Sequence, residues 1–521
     1  MKPGRFSEEH WVELNDGALL ATEVFFPEVL PQTVIFTRTP YDKSQLRAVA
    51  QGWTREGFVF VAQDVRGRYR STGEWIPYRN ELQDGSAAVD WIVRQPWSDG
   101  RVIASGASYG SFTAWGSAKH PSVCGVISEV PAGGHRRAHL DDSGILRLAE
   151  FVQWTLRHGW GRESCDPAEL PGRDVLAEML LTLPIHSVFR GIPPGLRGWG
   201  FEQFLDDLGL DEAISQCTVP TLHIGGWYDL FLGETLRQWS LAGSSAGALP
   251  EKRLVIGPWG HALSSPDTSE AGGRDHGPAS QLALGPLQLA WAHSILDPAG
   301  PSTALSRGER VFMMAKNTWL EAWPEPESRE LDLILDVDQM LRGRASGGSG
   351  ISQCTYDLAN PRPSLVWQSD RGSLRTRTDA LYFRTETVEH GFAITGAPRM
   401  TLRIPENDSG GDWICHLNQI LPDGKALRLC SGAGVVEPGV SQLTLELNET
   451  AIWCVAGSCL ELELATGDFP FLARNLPGRD RYHDVAVESV TCQGLLTGAG
   501  GSILHLPISG ASIPESEGAF L

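Results

Sequence analysis

The stretch R-V-I-A-S-G-A-S-Y-G, Arg101 to Gly110, decides the fold. A short β-branched run, Val102-Ile103-Ala104, stops at Gly106-Ala107-Ser108-Tyr109-Gly110, and small and aromatic residues follow through Trp115. That order reads as strand, tight turn, helix. G-x-S-x-G in this setting is a nucleophile elbow, in which a serine occupies a strained turn and flanking glycines give the backbone room. Five residues alone also describe an ordinary surface turn, so the elbow needs answering residues elsewhere in the chain.

Length and composition bound the answer. The chain has 521 residues, 41% of them hydrophobic, enough for large cores and several domains. A formal net charge of −20 argues against nucleic acid or an anionic membrane surface as partner, because both need clustered Lys and Arg. No run approaches the roughly 18 to 20 apolar residues of a membrane span, and Met1 to Glu13 is polar without an apolar leader core, so a cytoplasmic location is expected. Nine cysteines, odd in number and without a C-x-x-C pair, suggest neither a disulfide framework nor a zinc site; Cys454 and Cys459 read as reduced core thiols.

Around the elbow, strand and helix patterns alternate. Residues 11 to 27 form a hairpin about Asn15-Asp16-Gly17. Strands are expected at Thr33 to Thr37, Gly57 to Gln63 and Val123 to Glu129, with helices over Leu46 to Arg55 and Asp84 to Gln95. Such alternation predicts a mostly parallel sheet covered on both faces. The alternation stops at residue 133. Helical stretches such as Ile145 to His158 and Arg173 to Leu181 follow, and strands resume at Val219 to Gly226 and Arg253 to Gly257. Residues 133–217 therefore read as a helical cap inserted into a core made of 1–132 and 218–324. From 325 to 521, short alternating runs (Leu331 to Leu335, Ala380 to Arg384, Arg399 to Ile404, Trp413 to Leu417, Gln442 to Leu447, Cys459 to Ala465) predict a β jelly roll.

A serine hydroxyl needs a base to take its proton and an acid to orient that base. On an α/β sheet of this kind they follow in the order Ser, Asp or Glu, His. The strand ending at Gly226 delivers Trp227-Tyr228-Asp229, and the next delivers Gly257-Pro258-Trp259-Gly260-His261. Asp229 would fix the imidazole tautomer and His261 would serve as general base, then general acid. Taken singly, Asp229 also suits a helix N-cap near Phe231, Asp206, Asp207 and Asp211 compete for the acid, and His276 and His293 compete for the base. The oxyanion would be met by the Tyr109 N–H and by the Tyr41 hydroxyl, since Pro40 carries no N–H.

These motifs carry a resemblance. R-T-P-Y-D-K (38–43), Q-D-V-R-G-R (63–68), D-W-I-V-R-Q-P-W-S-D-G-R (90–101), G-A-S-Y-G (106–110), G-G-W-Y-D (225–229), G-P-W-G-H (257–261) and L-A-T-G-D-F-P-F-L-A-R-N-L-P (464–477) resemble the cocaine esterase and X-Pro dipeptidyl-peptidase family over nearly the whole chain. The resemblance implies an α/β-hydrolase core with helical cap and jelly roll, cleaving small esters or amides without metal or cofactor. It implies Ser108, Asp229 and His261 as the triad and Tyr41 with Tyr109 as the oxyanion hole, and it leaves Asp64 and Arg66 structural. In the α-amino-acid ester hydrolases of that family, carboxylates stand two and three residues after the triad Asp; here Phe231 and Leu232 stand there, so an apolar acyl pocket closest to the cocaine esterase branch is expected. Asp141 and Asp142 in the cap would still supply negative charge, which keeps an aminopeptidase-like role among the alternatives. Trp154, Trp160 and Trp199 are candidate pocket walls or cap packing. X-prolyl peptidase, α-amino-acid ester hydrolase or acyl transfer, and a non-enzymatic binding role remain alternatives. The expected partner is a small ester or amide, with a homodimer left open.

Overall fold

The computed structural model describes residues 6–159, 161–166, 168, 170–191, 208–247, 251–300, 308–325, 328–406, 410–476, 484 and 490–509. The chain opens with a hairpin, β1 (Ser7–Glu13) and β2 (Leu19–Phe25). Then come β3 (Gln32–Thr39), α1 (Arg47–Arg55), β4 (Val59–Asp64), α2 (Glu81–Val93), β5 (Ser98–Ala107), α3 (Tyr109–Ser117) and β6 (Val123–Glu129). The helical block holds α4 (His135–His139), α5 (Leu148–His158), α6 (Arg173–Leu180) and α7 (Leu210–Ser215). The sheet resumes with β7 (Thr221–Gly226), α8 (Leu232–Leu241) and β8 (Lys252–Gly257). After a two-residue hairpin, β9 (Glu270–Ala271) and β10 (Arg274–Asp275), come α9 (Leu284–Leu296), β11 (Arg310–Met313) and β12 (Thr318–Leu320).

The strand order is β1-β2-β4-β3-β5-β6-β7-β8-β11-β12. From β4 to β11 neighbouring strands run parallel. Buried aliphatic residues alternate between its two faces: Val34, Val61, Val102 and Val126 join α2 and α3 on one side, while Ile35, Ile103, Ile127 and Leu222 meet Trp53 and Trp291 on the other. Parallel strands covered on both sides read as continuous apolar runs, which is what the sequence shows.

The remaining strands are β13 (Arg329–Leu335), β14 (Leu341–Arg342), β15 (Ser349–Asp357), β16 (Ala380–Arg384), β17 (Phe392–Gly396), β18 (Arg399–Arg403), β19 (Gly411–Ile420), β20 (Ala426–Val436), β21 (Gln442–Glu446), β22 (Thr450–Cys454), β23 (Cys459–Ala465), β24 (Val490–Gly498) and β25 (Ile503–Ser509). They pair antiparallel, with β16-β23-β19-β20 forming one sheet and β14-β13-β25-β17-β22, joined by β18 and β21, another. Their shared core takes in Leu232, Leu236, Leu254 and Ile256 from the parallel-sheet part, so the jelly roll is packed onto it through one continuous apolar cluster. All nine cysteines are free thiols.

Element ends shift by a few residues from expectation, as at α2, which spans Glu81–Val93, and the start of α5 shows why. The helix predicted from Ile145 starts at Leu148, because Asp141 Oδ1 accepts the Ser143 and Ile145 amides at 3.0 and 2.8 Å and Leu140 bridges Leu146. An aspartate satisfying the backbone locally competes with the first helical turn. Arg147 then reaches back to the carbonyls of Arg137 and Leu140, both at 2.7 Å.

Candidate active site

Tyr41, Ser108, Asp229 and His261 follow the C-terminal ends of β3, β5, β7 and β8, four strands of one parallel sheet. Ligands of such sheets bind at this edge. Ser108 has φ 56° and ψ −120°, the strained conformation expected at an elbow. Its N–H donates to the Glu129 carbonyl at 2.9 Å, which anchors the turn to β6. A Cβ at Gly106 would lie 2.1 Å from the Gly110 carbonyl oxygen, whereas one at Gly110 would meet nothing closer than 3.6 Å. The first glycine of the motif is thus sterically required, and the second is not.

His261 Nδ1 and Asp229 Oδ1 are 2.9 Å apart. Asp229 is buried, and α8 starts after it at Leu232 without using its side chain as a cap. The competing assignments have other work. Asp211 pairs with Arg137 and Arg237 at 2.8 and 3.0 Å, and His276 is buried beside the Tyr228 hydroxyl and Ala271 carbonyl. His293 packs against Phe58. Asp206 and Asp207 lie outside the described residues. The His261 side chain is 39% exposed, open to an incoming molecule while its partner is sealed. Burial pushes the imidazole pKa down, but the hydrogen bond and charge of Asp229, joined by Glu150, outweigh it, and the net shift is upward.

Tyr41 is held from two directions. Its N–H donates to Thr39 Oγ1 at 3.0 Å, and the indole N–H of Trp154, on α5, donates to its hydroxyl oxygen at 3.0 Å. Burial raises the Tyr41 pKa to about 12, so the phenol keeps its proton near neutrality. An indole nitrogen can only donate. The Tyr41 oxygen therefore accepts from Trp154, and its own proton is left to point elsewhere. Arg68 locks this arrangement: its guanidinium donates to the Pro40 carbonyl at 2.9 Å and to the carbonyls of His158 and Gly161 at 2.9 and 2.6 Å, tying the Tyr41 loop to the end of α5. Tyr109 is the first residue of α3, where backbone N–H groups have no partner within the helix. Its phenol is fully buried, donating to Glu81 at 2.8 Å and stacked on Tyr78.

The expected pocket residues separate. Phe231 presents its ring edge-to-face to the His261 imidazole, with centroids 5.3 Å apart. Leu232, one residue on, is turned by the start of α8 into the core shared with the jelly roll and is 3% exposed. Trp154 lies against Trp75, His139 and His158 as well as Tyr41. Trp160 and Trp199 lie outside the described residues. Asp64 receives the Lys43 amide and ammonium, and Arg66 forks onto Asp84 at 2.9 and 2.7 Å, so both serve loop structure.

Glu150 was not singled out from the sequence. It sits one helical turn before Trp154 on α5, and its charge acts on both His261 and Tyr41. Burial raises its own pKa. Arg147 beside it is surrounded by the charges of Asp141, Asp142, Asp229 and Glu150. Glu150, Trp154 and His158, four residues apart each time, share one face of α5, but that spacing does not say which way the face docks. Among the described residues, Glu330, Asp332 and His505 are the cluster whose ligand atoms lie within reach of a single ion. It is on the jelly-roll surface, where Arg399 already pairs with Glu330 and Thr401 with His505.

Residues 16–263 match the family model of X-Pro dipeptidyl-peptidase (S15 family), and residues 307–494 match the X-Pro dipeptidyl-peptidase C-terminal non-catalytic domain. A cocaine esterase from Rhodococcus sp. (strain MB1 Bresler) is 27% identical over 89% of this chain and 91% of its own. Two solved structures superpose with a TM-score of 0.81 at 19% identity. They are an aminopeptidase from a marine sediment archaeon, Thaumarchaeota archaeon, covering 97% of this chain and 96% of that one, and an α-amino acid ester hydrolase, covering 96% of both. The two family matches take in most of the chain, on a fold those structures share, and on that basis the chain belongs to the cocaine esterase and X-Pro dipeptidyl-peptidase family of hydrolases.

Proposed function

We propose that the chain is a serine esterase acting on carboxylic esters of small, largely apolar acyl groups through an acyl-enzyme. The observation that carries this reading is the Asp229–His261 pair at the sheet edge onto which the strained Ser108 elbow also opens. In the first half-reaction His261 Nε2 takes the Ser108 proton as Oγ attacks the ester carbonyl, while Asp229 holds Nδ1–H and stabilises the imidazolium. The tetrahedral oxyanion is received by the Tyr109 N–H and the Tyr41 hydroxyl, whose proton is free because its oxygen is already engaged by Trp154. The imidazolium then protonates the leaving alkoxide. Water, deprotonated by the same nitrogen, releases the acid in the second half.

Phe231, edge-on to His261, and Trp154 over Tyr41 offer aromatic walls for the acyl group. The similarity to a protein named cocaine esterase supports ester over amide cleavage. A second reading, cleavage beside an ammonium group as in an aminopeptidase or α-amino-acid ester hydrolase, is favoured by Glu150, whose carboxylate acts on the same two catalytic groups. A panel of p-nitrophenyl acetate, butyrate and benzoate set against an N-terminal X-Pro dipeptide p-nitroanilide separates the two. The proposal expects the esters to be turned over with higher kcat/KM. Preference for the dipeptide anilide would replace it with the peptidase reading.

A further inference from the structure

The Leu464–Pro477 signature takes no part in the ester-cleaving site. Its residues Asp468, Pro470, Phe471 and Leu472 line instead a cavity of about 500 Å³, where the jelly roll, the Asp141–Ala149 segment and the Asp229–Leu230 turn meet. Asp229 shares its wall with this cavity, whereas Ser108, His261 and Tyr41 do not line it.

The jelly-roll end of this cavity is built around Arg428 of β20. The side chain is 7% exposed, its guanidinium carbon lies 3.6 Å from the Trp367 ring centroid, and its Nε has no hydrogen-bond partner. Three other jelly-roll guanidiniums are matched with carboxylates. Arg362 pairs with Asp379 and Glu463 at 2.7 and 2.6 Å, Arg371 with Glu463 at 2.8 Å, and Arg377 with Asp379 at 2.6 Å. Among the described residues the Arg428 guanidinium makes neither a hydrogen bond nor an ion pair. Asp468 and Glu463 act on it from beyond pairing distance, Arg371 opposes them, and burial brings its pKa down to about 10. His416, buried on the same wall, has both ring nitrogens unpartnered and stands 3.8 Å from Asp468.

A buried, unpaired guanidinium is costly, and its fork geometry matches a carboxylate. We propose that this cavity binds a small organic carboxylate, its oxygens on the open edge of Arg428 and its apolar body against Trp367 and Phe471. The volume falls within the usual range for small-molecule sites. Charge along the cavity sets the orientation. Asp141, Asp142 and Asp229 also line the cavity and outnumber Arg147 there, Asp141 committed to its own loop, so the part of the ligand away from its carboxylate is neutral or cationic. The proposal does not rest on the esterase reading, because the groups assigned to hold the ligand, Arg428, Trp367 and Phe471, are neither triad nor oxyanion residues.

The test is calorimetric titration of the full chain with sodium benzoate, benzyl alcohol and inorganic phosphate, repeated on Arg428→Gln, Arg428→Lys and Trp367→Leu. Charge-assisted hydrogen bonds of about 1.5–3 kcal/mol set the expected loss in Arg428→Gln at about tenfold or more. Arg428→Lys should retain part of the affinity, and benzyl alcohol should not saturate. Far-ultraviolet circular dichroism and the melting temperature report whether Arg428→Gln is folded; if it is not, Trp367→Leu, which removes the stacking surface, carries the test and should weaken benzoate binding. Benzoate binding unchanged in the folded variants, absence of saturable binding to the unmodified chain, or tighter binding of phosphate than of benzoate would each overturn the proposal.

Discussion

Replacing Trp154 with Phe keeps the ring against Tyr41 and deletes one N–H. The deleted bond, 3.0 Å from the indole nitrogen to the Tyr41 oxygen, is neutral and partly buried, a class that contributes about 0.5–1.5 kcal/mol. If its work is to leave the phenol proton to the oxyanion, its loss appears in kcat, as a fall of about 2- to 13-fold. Tyr41→Phe removes the oxyanion donor itself and should lower kcat by about 10²–10³. The decisive variant is the double one. Without an acceptor on residue 41, the Trp154→Phe change has nothing left to remove, so its effect in that background should vanish. The assay is initial-rate release of p-nitrophenol from the butyrate ester at saturating substrate, with melting temperatures to confirm folding. An equal fall in both backgrounds would mean that Trp154 acts only by packing, and an unchanged kcat in Tyr41→Phe would remove Tyr41 from the oxyanion hole altogether.

Further outcomes follow from the same geometry. Because the His261 pKa is raised, kcat/KM should climb through a pKa above the usual imidazole value of about 6.5, and Glu150→Gln should move that limb downward. The coupling also adds stability below that usual value, which is lost as pH rises through the raised pKa, so the melting-temperature difference between the natural chain and Asp229→Asn should shrink on going from acid to alkaline pH. Gly106→Ala should prevent correct folding, seen as loss of soluble protein, whereas Gly110→Ala should keep a melting temperature close to the original. Leu232→Ala, which opens a hole in the shared core, should cost about 2–5 kcal/mol in denaturant unfolding while leaving KM for small esters nearly unchanged.

Much of the site was legible because it sits on strand ends. Ser108, Asp229 and His261 each follow an apolar run that stops at glycine-rich sequence, and parallel strands put such stops on one edge. Glu150 was not legible, since its approach to His261 depends on how α5 docks, and a single glutamate on an amphipathic helix reads as solvated. Phe231 and Leu232 looked equivalent in sequence. Rotation at the first turn of α8 sends one toward the imidazole and the other into the jelly-roll core. In the jelly roll, alternation located Ala380–Arg384 and Cys459–Ala465 to the residue. It passed over β20, because Ser431, Gly432, Ala433 and Gly434 lack the bulk that signals a strand. The reason for small residues there is packing: a Cβ on Gly432 would lie 2.3 Å from the Glu446 carbonyl oxygen. It passed over β15 too, where polar Ser352, Gln353 and Thr355 interrupt the apolar pattern.

The central claim is that Ser108 is the nucleophile. A fluorophosphonate probe followed by peptide mass spectrometry tests it most directly. The account predicts one stoichiometric adduct on the peptide carrying Gly106-Ala107-Ser108-Tyr109-Gly110, with ester hydrolysis lost in parallel, and neither labelling nor turnover in Ser108→Ala. A stoichiometric adduct on any other residue, or undiminished hydrolysis by Ser108→Ala, would contradict it.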